Sequence, residues 1–160
     1  MRHHPMSIRN RLSALATLLY LGGGIFWLIW PLLDTTQAPT AKALDREAPA
    51  LAAASASLLL LLAICRWLDD HRRPHRLGLL LGLVMANVLV RMTMSPGQFG
   101  VEPVFVVPFL AGLAFGAPGG VLVGAASCLV STIMAGSASS ALPGQCLAWA
   151  IVGAMGGLLC

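Results

Sequence analysis

The sequence predicts an all-α membrane protein, a polytopic bundle of about six transmembrane helices. Hydrophobic residues make up 58% of the 160 residues and charged residues only 10%, whereas soluble domains average about 45–50% and about 25%. Three long stretches, 12–33, 48–65 and 103–160, contain no charged side chain. A bilayer core of about 30 Å is crossed by about 20 apolar residues in a helix. Because backbone amides in lipid must pair within the protein, such non-alternating apolar runs favour helices.

The basic residues predict which ends of the spans face the cytoplasm. Seven of the ten flank the predicted inner ends of the first two spans: Arg2, Arg9, Arg11, Arg66, Arg72, Arg73 and Arg76. The other three, Lys42, Arg46 and Arg91, fall on the opposite side if spans alternate. Short loops rich in Lys and Arg stay inside, so the N-terminus is predicted to be cytoplasmic and segment 91–103 to lie outside. The net charge of +4 is therefore interpreted as a topology signal, with no nucleic-acid partner.

Three spans are predicted before residue 95. The first covers 12–33 and carries tryptophans near its outer end, where aromatic rings favour the membrane interface. The polar, proline-containing stretch DTTQAPTAKALDREAP, residues 34–49, is predicted to be an outer loop. The second span covers 48–68, and the basic stretch RWLDDHRRPHR separates it from a third span at 77–94.

Residues 103–160 must fold back on themselves, because a charge-free stretch of this length exceeds one crossing. GAPGG at 116–120 and GSASSALPG at 136–144 are the predicted breaks, since Gly and Pro interrupt helices. The resulting spans are 103–116, 119–136 and 145–160. The first of these is short and contains Pro108, so we expect a tilted, kinked or partly re-entrant helix.

Small residues divide the chain into two parts. In the second half, glycine and alanine recur at helical spacing, as in Gly78, Gly82 and Ala86. Small residues let membrane helices approach closely. We therefore predict an N-terminal two-helix extension, 1–74, and a small-residue-rich module, 75–160. Most stripes are expected to pack the module's own helices, and the stripe on the third span is a candidate for facing a partner.

The candidate functional residues lie in RMTMSPGQFGVEP, residues 91–103, which holds the only two charges after residue 76. Arg91 can extend to the outer interface or turn inward. Interfacial anchoring would account for Arg91, and complementing the positive end of the next helix would account for Glu102. The competing interpretation is that the two converge over a cavity as opposite-charge ligands, because ionisable groups at a membrane boundary are candidate functional groups.

The stretches GVEPVFVVPFLAGLAFGAPGGVLVGAASCLVS and LPGQCLAWAIVGAMGGLL resemble the substrate-binding membrane subunit, or S component, of energy-coupling factor (ECF) transporters. The resemblance covers 77–160, about half of the chain. It implies a multi-pass protein of the bacterial plasma (inner) membrane that captures a vitamin or similar micronutrient from outside. A transmembrane coupling subunit and two ATPase subunits would complete the ABC transporter, so this chain would use no cofactor and no ATP itself.

The resemblance and the residue chemistry together imply a substrate site at the outer end. Its predicted residues are Arg91, Gln98, Glu102, Gln145 and Trp149. Arg91 would pair with a carboxylate or phosphate, Glu102 would accept from a hydroxyl or amine, and Trp149 would stack on a ring. Segment 95–103 would form a lid. The stripe Gly78, Gly82 and Ala86 matches the face on which such subunits dock on the coupling subunit.

The chain departs from the family pattern in helix number. The family module has six helices, and four match here, so the module is predicted to be C-terminally truncated; the alternative is a relative completed by its N-terminal pair. Flavin, thiamine, biotin, folate and cobalamin subunits share the scaffold. Cobalamin is the preferred cargo, from the resemblance to longer, N-terminally extended members.

Two other functional classes are weighed against transport. A non-transporting assembly or packing subunit suits the glycine stripes equally well. An intramembrane enzyme is disfavoured: Ser127, Ser131 and Thr132 share one span, but no histidine follows His75 and Glu102 has no second carboxylate.

The cysteine and histidine spacings predict no metal site. No CxxC or Cys/His spacing occurs, so neither a disulfide framework nor a zinc site is expected. The cysteines are Cys65, Cys128, Cys146 and Cys160, and we interpret them as small apolar packing residues. The N-terminal MRHHP is interpreted as a basic end.

Overall fold

The structure is a computed structural model that describes residues 10–33, 41–69, 74–93, 103–136 and 141–159. Within these residues the chain forms six α-helices and one 3-10 turn, without strands, which confirms the all-helical prediction. The helices are α1 (Asn10–Leu33), α2 (Ala41–Asp69), α3 (Pro74–Thr93), α4 (Val106–Phe115), α5 (Ala117–Met134) and α6 (Leu142–Leu158), and the 3-10 turn, Pro103–Phe105, directly precedes α4.

Three helical segments of the described chain are long and apolar enough to cross a bilayer: Ala52–Asp69, His75–Thr93 and Ala117–Met134. Large apolar side chains on the outer faces of these and neighbouring helices are exposed, as a bilayer-covered surface requires. These features indicate a membrane-associated helical bundle. With ten residues, α4 is about 15 Å long, half the thickness of a bilayer core. The larger number of about six crossings stays a prediction.

The outer loop expected at 34–49 overlaps the beginning of a helix. Helix α2 begins at Ala41 and contains Pro49, so much of that predicted loop is helical. A proline removes one backbone hydrogen bond and usually ends or kinks a helix, which is why a break was expected there. Pro49 is exposed, and in this polar segment water can bind the carbonyl that the proline leaves unpaired.

Glycines bring α4, α5 and α6 into backbone contact. A Cβ atom at Gly120 would lie 2.5 Å from the Gly153 carbonyl carbon and 2.8 Å from the Gly112 Cα atom. Both predicted helix breaks are confirmed. Gly116 separates α4 from α5 with φ 78°, and Gly136 follows α5 with φ 61°. Positive φ favours glycine because it has no Cβ.

The two N-terminal helices share one core with the other four. Tyr20 on α1 and Leu62 on α2 belong to the same buried cluster as Val121 on α5 and Cys146 on α6. The boundary predicted near residue 74 therefore marks a change of composition within a single described core.

Two charged side chains near the end of α2 bind the ends of other helices. The Asp69 carboxylate accepts a hydrogen bond from the Ser13 backbone N–H, in the first turn of α1, at 3.0 Å. Arg66 Nη2 donates to the carbonyl of Phe115, the last residue of α4, at 3.2 Å. Both side chains are buried. An acid at a helix start and a base at a helix end complement the helix dipole and pair otherwise unsatisfied backbone groups.

Candidate functional site

Arg91, in the last turn of α3, turns into the bundle, the second of the two placements open from the sequence. Its Nη1 atom donates to the Ser131 hydroxyl at 2.7 Å and to the Thr132 hydroxyl at 3.2 Å, both on α5. The Cys128 carbonyl oxygen and sulfur lie 3.4 Å and 3.8 Å from the same nitrogen. The side chain is half-buried. Arg91 is therefore held against α5 by neutral hydrogen-bond acceptors.

Aromatic rings support the guanidinium group of Arg91. Its Cζ atom lies over the Trp149 ring, 5.1 Å from the ring centroid. The Phe105 ring meets Trp149 edge-on, with centroids 5.6 Å apart. Such a cation–π contact contributes about 0.5–1 kcal/mol when exposed and about 2 kcal/mol when desolvated. The structure thus brings together two predicted site residues, and it surrounds Trp149, which is only 7% exposed, with protein neighbours.

A second polar contact between α3 and α5 lies one helical turn deeper. Asn87 Nδ2 donates to the Ser127 hydroxyl at 2.9 Å, and both residues are fully buried. Asn87 and Arg91 are four residues apart, as are their partners Ser127 and Ser131. The two contacts follow the same order along both helices, so α3 and α5 run parallel. We call this set the α3–α5 ladder: Asn87, Arg91, Ser127, Ser131 and Thr132.

The serine hydroxyl protons determine which side chains of the α3–α5 ladder donate hydrogen bonds and which accept them. Ser127 Oγ donates to the Val123 carbonyl at 2.5 Å, and Ser131 Oγ donates to the Ser127 carbonyl at 2.6 Å. Because a hydroxyl has one proton, each serine must accept from the α3 side chain facing it. The Asn87 Oδ1 atom is left buried without a hydrogen-bond partner among the described residues.

The remaining predicted substrate residues are not brought to Arg91 by the described part of the chain. Gln145 is exposed in the first turn of α6, one turn before Trp149. Gln98 and Glu102 lie outside the described residues, as does most of the predicted lid. The convergence of Arg91 and Glu102 over a cavity therefore stays a prediction.

The small-residue stripe on α3 is open. Gly78, Gly82 and Ala86 are all exposed. A Cβ atom added at Gly78 or Gly82 would meet no atom of the described chain within 4 Å. At Gly112 and Gly120, by contrast, it would overlap the backbone of α6. The glycines of α4–α6 therefore pack the protein's own helices, whereas the described chain leaves the α3 stripe uncovered.

Sequence reasoning missed Asn87, and it weighed Ser127, Ser131 and Thr132 only as nucleophiles. A signal was present, because Asn87 is the only amide side chain in α3 and lies four residues before Arg91. Residues four apart share one face of a helix. A matching serine pair on α5 has the same spacing, which would have suggested the ladder.

An apolar groove lies apart from the predicted site residues. It has a volume of about 170 Å³ and runs between α1, α2 and α6, with Tyr20, Leu58 and Leu147 among its lining residues. Pockets for small organic ligands usually measure about 300–1,000 Å³. Within the described residues, no group of three or more His, Cys, Asp or Glu side chains is placed to hold a metal ion.

Comparison with known proteins identifies no relative: no family model matches the sequence, and neither a curated protein nor a solved structure matches it. The resemblance to ECF substrate-binding subunits therefore stays a prediction made from the residues.

Proposed function

We propose that the protein is the substrate-capturing membrane subunit of an ECF-type ABC transporter, which binds a vitamin or similar micronutrient at its outer end. The observation that carries the proposal is the placement of Arg91. It is the only Lys or Arg after residue 76, and it turns inward onto neutral hydroxyl groups and an aromatic ring. A cation that served only as an interfacial anchor would extend to the headgroups, whereas an inward-facing, half-buried cation suits anion binding.

The predicted topology supports access from outside. Counting of basic residues places the end of α3 and the start of α6 at the outer surface. Arg91 lies in the last turn of α3, and Trp149 lies in the second turn of α6. The site would therefore open toward the outer solution, beside the segment predicted to form its lid.

The open α3 stripe supports delivery through a partner. Small residues allow two membrane helices to approach until their backbones touch. Gly78, Gly82 and Ala86 offer such a surface without displacing a packed side chain. In the proposed function this surface docks on the coupling subunit, and the ATPase subunits supply the energy for release inside the bacterial cell.

Calorimetry of the full chain in lipid nanodiscs tests the capture function. Titration with riboflavin, thiamine, biotin, folate and cobalamin is expected to reveal saturable binding of one of them. Arg91→Gln should weaken that binding about tenfold or more, because a hydrogen bond to a charged group contributes about 1.5–3 kcal/mol. Arg11→Gln, which removes an exposed cation at the opposite end, should leave it unchanged. Absence of binding to all five, or equal binding by the Arg91 variant, would contradict the proposal.

A non-transporting assembly subunit is the second candidate, and the open α3 stripe favours it as well. Hydrogen exchange separates the two functions. In the capture function, the bound micronutrient slows exchange in segment 95–103. In the assembly function, Gly82→Leu disrupts a complex with a partner membrane protein, and none of the five micronutrients changes exchange in that segment.

A further inference from the structure

The hydrogen bonds of Arg91 are distributed unevenly over its guanidinium group. All four contacts to α5 are made by Nη1. A guanidinium group has five N–H donors, of which Nη1 carries two. Nε and Nη2 make no hydrogen bond to any described residue, and neither is among the fully buried polar atoms that lack a partner. The Nε–Nη2 edge is therefore accessible within the described part of the chain.

We infer that this edge binds a single carboxylate group side-on, so that the captured micronutrient is a monocarboxylate such as biotin and not cobalamin, the cargo preferred from the resemblance; this inference rests on the proposed function. The two N–H groups of the Nε–Nη2 edge are parallel, and their spacing matches the two oxygens of a carboxylate. Nη1 is anchored on α5, and the guanidinium carbon Cζ lies over the Trp149 ring. These contacts orient the edge before a ligand arrives, which reduces the entropy lost on binding.

The charge at the site favours a carboxylate over a phosphate. The hydroxyl and carbonyl partners of Arg91 carry no charge, and no other Lys or Arg occurs after residue 76. Among the described residues around the site, Arg91 is the one positive charge, and one negative charge neutralises it. A phosphate monoester carries about 1.5–2 negative charges at neutral pH and would bring an uncompensated charge into a site where desolvation is costly.

Arginine-resolved NMR tests the inference directly. The full chain in phosphatidylcholine nanodiscs is labelled with ¹⁵N-arginine, and the Arg91 Nε–H resonance is assigned by its loss in Arg91→Lys. The probes are benzoate, phenyl phosphate and benzamide, which share a ring and differ in charge. Benzoate is expected to shift this resonance saturably and to bind about tenfold or more tightly than benzamide. The Nε–H resonance of Arg11, exposed at the start of α1, should not move.

Three outcomes would overturn the inference. A shift of the resonance by phenyl phosphate at equal or lower concentration than benzoate would exclude the monocarboxylate class. Arg91→Lys could bind benzoate by calorimetry as tightly as the original chain, which would exclude the side-on geometry. The resonance could respond to benzoate only in Glu102→Gln, which would show that the protein's own glutamate occupies the edge.

Failure of this inference and failure of the proposed function are distinguishable. The benzoate experiment needs neither a vitamin nor a coupling subunit. If benzoate binds at Arg91 and none of the tested micronutrients binds, the transport function is refuted, whereas carboxylate binding at the Nε–Nη2 edge is supported. If a micronutrient binds but the Arg91 Nε–H resonance does not respond to benzoate, carboxylate binding at the Nε–Nη2 edge is refuted, whereas the capture function is supported.

Discussion

Adding one methyl group at Gly120 is expected to separate α5 from α6. In Gly120→Ala the new Cβ would overlap the Gly153 carbonyl oxygen and lie 2.5 Å from its carbonyl carbon, whereas ordinary contact begins at 3.4 Å, so the backbones must move apart by at least about 0.9 Å. A gap of about 0.5–1 Å forfeits about a quarter to a half of the contact energy of the atoms concerned. Because the obstacle is backbone and cannot rotate away, we expect a cost near the upper end of the usual overpacking range, about 3 kcal/mol.

Gly82→Ala is the matched control for this change. The same methyl group there meets no described atom within 4 Å, and alanine is favoured over glycine in a helix by about 0.8–1 kcal/mol. Stability is measured by titration with sodium dodecyl sulfate in dodecylmaltoside micelles, following helix content and tryptophan fluorescence. Gly120→Ala should lower the midpoint, and Gly82→Ala should leave it unchanged or raise it. Equal midpoints for the two variants would refute the backbone-contact argument.

Two further predictions concern polar contacts. Asn87→Leu should change the free energy of unfolding little because Ser127 still donates to Val123, whereas Ser127→Ala should lower it by about 1–3 kcal/mol by leaving the buried Asn87 amide unpaired. The same titration measures both variants. A larger loss of stability for Asn87→Leu than for Ser127→Ala would contradict the assignment of Asn87 as donor and Ser127 as acceptor. Asp69→Ala should lower the free energy of unfolding by about 1 kcal/mol, because it removes the partner of the Ser13 N–H at the start of α1. Hydrogen exchange at the Ser13 amide should accelerate. Unchanged exchange would contradict the capping role of Asp69.

The helices and their breaks could be predicted because they depend on neighbouring residues. The apolar runs predicted six helices, and the turns at Gly116 and Gly136 follow from glycine's freedom at positive φ. The predicted start of α2 was wrong by several residues, also because the prediction relied on neighbouring residues. Pro49 and its polar neighbours indicate a loop, yet the helix continues through them to Ala41.

The candidate site was predictable only in part. Arg91 is conspicuous as a lone cation, but sequence alone allows its long side chain to extend to headgroups or turn inward. The choice depends on Ser131, Thr132 and Trp149, which lie on two other helices. Trp149 was expected to face the ligand, whereas the structure places its ring beneath the guanidinium group. The partner of Asn87, Ser127, is also distant in sequence, so the contact was indicated only by the matching four-residue spacings on α3 and α5.

By itself, the sequence determined that this chain is helical and apolar, where its second half turns back, and that one cation interrupts a neutral module. Those properties follow from composition and from the backbone preferences of adjacent residues. Only the tertiary structure decided which glycines are buried, since the stripes of α3 and of α4–α6 look alike in sequence and differ in what lies opposite them. The inward turn of Arg91 was decided in the same way, because hydrogen-bond partners on α5 become available only when the helices pack.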